Sequence, residues 1–526
     1  MFPERLKFLQ TKGFFKDLTS DDCEELNKWK AGLNALSLSV VFSSSYPNNP
    51  SSMFGHTLIR LRGDAKSDLL DYSVAFSAWQ DVTESGFFMA VKGLVGGYRG
   101  LVEISKYYQK VNEYNFYENR DLIEYHLIST DEERERFLNH LWEIYQTTYF
   151  DYYFLDENCS SLLFQLLKVT YQNKDLGPHK RSYYLPQELV ESLYEKGLID
   201  ENKISVRHSL KKTFEVKFKN LKQNEKNDFF KVIERADLTE EELKSFSYKA
   251  LETSVDYFYY QKARTKGQLE TTPVNQAKRL HQVLMARASL GQSPEVKLQL
   301  DSLKTIFPHQ AHKPRMFGVS LGHNNQSSYT SLHYKPALHY FTDSPLGYEQ
   351  FQSFDLFSTE LSWNIDQEKF FLQNFTLIDL RSLHSWSFYD PQLSWMVNIF
   401  HTDDFVRERE EASIGGGLAK KFQQFLIGGF MAPLISLEKQ AQSRNVFLGG
   451  RFNVLATGNF SNHWTWLAEN NYRVLNKKRD LRKQAWNEFV LESDYHFDPD
   501  FSLGIKASTS TFTNDEQWKF KMNWRF

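Results

Sequence analysis

The sequence predicts a chain of three parts: an α+β domain over residues 1–213, a helical connector over 214–312, and a C-terminal antiparallel transmembrane β-barrel of about twelve strands over 313–526. Three observations predict it. Asp151 to Leu167, DYYFLDENCSSLLFQLL, passes from closely spaced aromatics to leucines at helical spacing. From about Phe214 to Gln310 the chain changes to charged amphipathic helices. From Arg315 to Phe526, segments of about ten residues alternate in polarity between turn-like clusters of Asn, Asp, Gly and Pro.

In chain order, a Ser/Asn/Pro loop from Phe42 to Ser52 runs into a short alternating segment, Phe54 to Leu61, which carries His56. Leu69 to Phe76 reads as a second strand. Gly93, Gly96, Gly97 and Gly100 do not make a phosphate loop, because the lysine and hydroxyl residue of a P-loop do not follow them. Bends and close backbone approach are their use. Thr130 and Glu133 form a capping-box pattern that opens a helix with Phe137, Leu141, Ile144 and Tyr145 on one face. Asn158 is an N-cap residue for a helix whose first turn holds Cys159. Leu238 to Gln261 and Pro273 to Leu290 are amphipathic helical stretches.

The final segment shows the barrel pattern most clearly. Trp518, Phe520, Met522, Trp524 and Phe526 alternate with Lys519, Lys521, Asn523 and Arg525. Half-buried strands of a soluble β-sandwich alternate too. Repetition over about 200 residues, Trp and Tyr near segment ends and a polar inward face favour a membrane barrel with a wet lumen.

The chemistry-bearing candidates are Cys159 and His56. Unpaired N–H groups and the helix dipole at Cys159 favour a thiolate, although buried cysteine also serves as a small apolar filler. A thiol nucleophile needs an imidazole to take its proton and a third polar group to orient the ring. His56 can supply the first, or be a structural histidine, and Asp71 or Tyr72 can supply the third. Asn158 caps the helix or helps hold an oxyanion.

At 526 residues, with 41% hydrophobic and 25% charged, the chain has room for more than one domain and is not compositionally disordered. A net charge of −3 and a pI near 6.6 give no reason to propose a nucleic-acid partner. Aromatics are enriched at 16%. No run of about 18 apolar residues exists to form a transmembrane helix. The opening MFPERLKFLQTKGFF has charges where a signal peptide needs an apolar core. Taken literally that says cytoplasm, although a start inside a longer reading frame looks the same. Cys23 and Cys159 are the two cysteines, and nothing requires them to pair. The 15 histidines show no zinc-type ligand spacing, so neither a metal nor a cofactor is expected.

The runs SSSYPNNPSSMFGHTLIRL, GLVGGYRG, KYYQKVNEYNFYENRDLIEYHL and HLWEIYQTTYFDYYFLDENCSSLL resemble the N-terminal periplasmic domain of the Lnb family, which includes bacterial lipoprotein intramolecular N-acyltransferases. With VRHSLKKT, QVLMARASLG and HYKPALHYFTDSPLGY, the chain looks like the larger Gram-negative members that append an outer-membrane barrel. The resemblance implies a permuted papain-like (NlpC/P60-like) fold, with His56 and Cys159 at the family's motif histidine and cysteine. It also implies export, residues ahead of FPERLKFL, and a cysteine there to pair with Cys23. Asp71 and Tyr72 do not carry over from it.

Three functions follow as expectations. The first is an outer-membrane-anchored periplasmic cysteine acyltransferase or acyl hydrolase acting on membrane lipid or lipoprotein through a thioester on Cys159. The second is a peptidoglycan-directed cysteine peptidase. The third is a non-enzymatic barrel, pore or anchor, with a binding domain. Oligomeric state is left open by the sequence.

Overall fold

The computed structural model describes residues 2–18, 23–45, 54–79, 92–93, 96–153, 157–177, 183–235, 237–264, 274–291, 307–348, 351–403, 408–440, 443–476, 483–512 and 515–526. Residues 46–52 of the Ser/Asn/Pro loop and 154–156 ahead of Cys159 lie outside them. The chain divides into two compact units, Met1–Thr305 and Ile306–Phe526.

The first unit is built on an antiparallel sheet of β1 (Ser37–Ser43), β2 (His56–Arg62), β3 (Tyr72–Ala78), β4 (Tyr98–Lys106), β5 (Leu122–His126), β6 (Phe150–Tyr152) and β7 (Ser205–Arg207). Its order is β6-β4-β3-β2-β1-β5-β7. The interiors of β1 and β2 are buried on both faces. On one face Val41, Leu58 and Ala75 pack against Tyr107, Val111 and Tyr114. The other face of β2 meets the helix Cys159–Thr170, where Thr57 touches Ser160.

The predicted capping box is present: Glu133 N–H donates to Thr130 Oγ1 at 3.2 Å, and the Glu133 carboxylate accepts from Thr130 N–H at 2.8 Å. It opens the helix Asp131–Thr147. The glycine run is used for a bend and close packing. Gly96 has φ +80°, and a Cβ there would fall 2.2 Å from the Tyr153 ring.

Later helices of this unit include Gln223–Glu234, Glu240–Ser245, Tyr248–Arg264 and Val274–Ser289. They share a core of Val232, Leu243, Leu251, Phe258, Val283 and Ala286. Each contributes one apolar stripe, as the amphipathic spacing predicts.

The second unit is an antiparallel barrel. Its strands are β8 (Met316–His323), β9 (Ser328–Lys335), a short β10 (Ala337–His339), β11 (Gln352–Asn364), β12 (Lys369–Ser382), β13 (Ser394–Asp403) and β14 (Glu408–Phe422). It continues with β15 (Phe425–Gln440), β16 (Ser443–Ser461), β17 (Trp464–Asn476), β18 (Lys483–His496), β19 (Phe501–Ser510) and β20 (Asp515–Arg525). Sequential neighbours pair from β11 to β20, β20 pairs β8, β8 pairs β9, and β9 returns to β11. Twelve strands therefore close the barrel, with β10 an extra piece on β11. Closure removes the free edge that an open sheet would expose.

The period-2 reading holds along β20: Trp518, Phe520, Met522 and Trp524 are exposed on the outer wall, while Lys519, Asn523 and Arg525 are buried inside. No helix among the described residues is long and apolar enough to cross a membrane; the crossing elements are strands.

Candidate functional site

The helix carrying Cys159 starts where the sequence says it should. Asn158 Oδ1 accepts from the N–H groups of Ser160 at 3.0 Å and Ser161 at 3.2 Å, and Ser161 Oγ accepts from Asn158 N–H at 2.9 Å. Asn158 Nδ2 donates to the Tyr184 carbonyl at 2.6 Å. Its side chain is thus the cap of this helix, with the oxygen spent on two first-turn donors.

Cys159 is buried and, like Cys23, a free thiol. Its sulfur accepts from the backbone N–H of Thr57 and lies beside the Thr57 and Ser160 hydroxyls. That N–H belongs to the peptide joining His56 to Thr57, so the thiol meets the backbone beside His56 and not its imidazole. The Cys159 N–H bonds the hydroxyl of Tyr152, a fully buried tyrosine that also touches the thiol.

Burial is the largest influence on the thiol and pushes its pKa up, against the Thr57 N–H, the two hydroxyls and the Arg120 charge, which pull it down. The helix start alone was expected to favour thiolate; removal of water outweighs it in this closed arrangement.

His56 follows Gly55, whose φ is +86° and whose missing Cβ leaves room for the Phe42 ring, 2.7 Å from where that Cβ would stand. The imidazole lies on the face of β2 opposite Thr57, with its ring 5.3 Å from the Tyr114 ring. Nε2 is buried and makes no hydrogen bond among the described residues. Burial, then the charges of Arg120 and Lys110, push the imidazole pKa down to about 3, so His56 is neutral at neutral pH.

Asp71 and Tyr72 are not brought to this pair. Tyr72 sits opposite Leu61, five residues along β2 from His56, a run of roughly 17 Å at the usual strand rise. Asp71 accepts from Arg60 Nη2 at 2.6 Å and Nε at 2.9 Å and from Gly63 N–H at 3.1 Å. Arg60 also pairs with Glu124 at 2.8 Å. The Tyr72 ring carries the Lys106 ammonium 3.5 Å from its centroid.

Four residues near the pair went unnoticed in the sequence: Thr57, Tyr114, Arg120 and Tyr152. Tyr114 belongs to a π-helical turn, Val111–Tyr117, a rare form that recurs at functional sites. The Arg120 guanidinium stands 5.2 Å over the Tyr114 ring and donates to the carbonyls of Ser43 at 3.3 Å and Ser44 at 2.5 Å. Ser43 is the strand partner of His56, so Arg120 fixes the strand end from which the imidazole projects. Neighbouring Asp121 accepts from Lys212 at 2.7 Å and Ser209 N–H at 2.8 Å and contacts His208 Nδ1 at 3.2 Å. Burial opposes the Asp121 charge, but these three partners bring its pKa down to about 2.

Two groups of ligand-type side chains occur among the described residues, both in the barrel: His312, His339 and Asp343, and His401, Glu408 and Glu410. The first is already a hydrogen-bonded set. His312 Nε2 and His339 Nδ1 are 3.0 Å apart, and the Arg525 guanidinium pairs with Asp343, standing where a cation's charge would be needed.

Residues 25–196 match the family model described as the Lnb N-terminal periplasmic domain, and residues 305–526 match one described as a domain of unknown function (DUF7840). No curated protein matches the chain. Solved structures similar to it include the KdgM porin in complex with disordered oligogalacturonate, at 8% identity over 40% of this chain and 99% of that chain with a TM-score of 0.26. The NanC porin matches at 11% identity over 40% and 100%, TM-score 0.27. The outer membrane protein Omp33 of Acinetobacter baumannii matches at 9% over 41% and 100%, TM-score 0.23. The closed strand order establishes the barrel without them.

Proposed function

We propose, from the premise that residues 25–196 are an Lnb N-terminal periplasmic domain followed by an outer-membrane barrel, that this domain is a permuted papain-like cysteine acyltransferase or acyl hydrolase acting on lipid or lipoprotein. The observation that carries the reading is the meeting of the Cys159 sulfur with the amide between His56 and Thr57 at the start of a capped helix.

In the proposed reaction Cys159 Sγ attacks an ester or amide carbonyl carbon while its proton passes to His56 Nε2, whose ring first swings round the start of β2 from the opposite face, with no hydrogen bond among the described residues to give up. The carbonyl oxygen takes the negative charge. The Cys159 N–H and the Tyr152 hydroxyl, now bonded to each other, are the donors that can separate to meet it. Collapse breaks the bond to the leaving group, which departs with the proton from His56 and leaves a thioester. An amine resolves it by transfer, or water by hydrolysis.

Mass spectrometry of the detergent-purified protein after incubation with outer-membrane lipid extract tests this. A hydroxylamine-labile acyl adduct that is lost in Cys159→Ala is the expected result. Its absence, with peptidoglycan fragments cleaved instead, moves the site to peptidase chemistry. The unbonded His56 Nε2 favours a second reading, a binding domain without turnover, which inertness toward both substrate classes would support.

A further inference from the structure

A stretch of the protein's own chain lies inside the barrel. Between β9 and β11 the chain does not turn directly from one strand to the next. It folds inward, and Leu338, Phe341, Thr342, Asp343 and Ser344 are all buried. Phe341 clusters with inward residues of distant strands, including Met396, Leu426, Leu455 and Leu467, and with Leu383 just past β12. The Thr342 carbonyl accepts from Thr465 Oγ1 at 2.6 Å on β17 and lies 3.0 Å from His496 Nε2 on β18. Asp343 pairs with Arg525 at the end of β20. A segment anchored at β9 and β11 therefore reaches the walls formed by β12–β18 and by β20, and so spans the bore.

Beyond this strap the lumen is charged but self-neutralised. Arg381 pairs with Glu469 at 3.0 Å, Lys519 with Glu360 at 2.5 Å, and Arg473 with Glu411 at 3.0 Å and Glu488 at 2.7 Å. All but Arg473–Glu488 bridge strands that are not neighbours, and the pairs leave a cavity of about 270 Å³. Toward the opposite end, Leu434, Phe447, Leu475 and Trp486 form an inward apolar cluster with Phe512 packed on it. A polar cavity bounded by apolar constrictions does not hold a continuous water column, because narrow apolar passages dewet.

We infer that the barrel is a sealed membrane anchor whose lumen is plugged by the strap Leu338–Ser344, and that it is not a pore. The inference does not depend on the chemistry of Cys159. The test is single-channel recording of the full chain in planar bilayers, beside a variant in which residues 338–344 are replaced by a Gly/Ser segment. Silence from the native chain and discrete steps from the variant are expected, the steps also proving insertion. Steady open steps from the native chain, or silence from a variant that retains the heat-modifiable mobility of a folded barrel, would overturn it. Should the variant not fold, Thr342→Cys with Thr465→Cys in a Cys23→Ser, Cys159→Ser background reads the strap position in the native barrel. An oxidant-formed cross-link reversed by reductant is expected, and its failure to form in a folded barrel would equally sink the proposal.

Discussion

Thr57 Oγ1 and Ser160 Oγ lie 2.7 Å apart, both buried, and tie the strand that begins at His56 to the helix that begins at Cys159. Replacing Thr57 by Val removes one partner and leaves the other without it in the interior, a loss of about 1–3 kcal/mol. Adding Ser160→Ala should return part of that loss, because two apolar groups no longer need each other. Urea titrations of the two single variants and the double variant check this. A double variant whose loss equals the sum of the singles would show that the pair is not coupled.

Asp71 is held by Arg60 in a buried network shared with Glu124. Asp71→Asn leaves a buried guanidinium short of a counter-charge and should cost roughly 3–5 kcal/mol. The rate at which iodoacetamide alkylates Cys159 in the folded chain should stay unchanged, because Asp71 lies toward the far end of β2 from the thiol. A changed alkylation pH profile in a chain of unaltered stability would instead give Asp71 a part in orienting His56.

The parts of this protein legible in its sequence are those whose cause is local. Thr130 with Glu133, and Asn158 with Ser160 and Ser161, satisfy donors within three residues, so spacing alone announces both helix starts. The barrel wall is legible for a similar reason: lipid outside and a polar lumen inside impose period 2 on every strand. The setting of the thiol is not local. Arg120 reaches Ser43 and Ser44 only because β5 pairs with β1, and Tyr114 reaches His56 only because a π turn packs on one face of β2. The strap is equally silent in sequence, since its burial depends on the bore that later strands build around it.

The neutral state of His56 makes stability pH-dependent. Its folded pKa of about 3 lies below the ordinary 6.5. Between those values the unfolded chain binds a proton that the folded chain does not, so stability rises with pH across that window and falls on acidification. The slope from this residue is at most about 1.4 kcal/mol per pH unit. Urea titrations from pH 4.5 to 7.5 on a Cys23→Ser background, read by a brief maleimide pulse at pH 7 that labels unfolded Cys159, should show the slope. His56→Gln should flatten it.

Lys519 and Phe520 are neighbours on β20 with opposite surroundings. Lys519 pairs inside the lumen with Glu360 at 2.5 Å, while Phe520 stands exposed on the outer wall. Lys519→Met strands a buried carboxylate and should destabilise the barrel by about 3–5 kcal/mol. A compensating Glu360→Gln should recover much of that by removing the stranded charge. Phe520→Arg puts a cation into hydrocarbon and should cost up to about 2–4 kcal/mol at the bilayer midplane and less near an interface. No lumen substitution should rescue it, because the penalty arises from lipid and not from a protein partner. Urea unfolding of the barrel in lipid vesicles measures both effects, and rescue of Phe520→Arg by Glu360→Gln would contradict the assignment of the two faces.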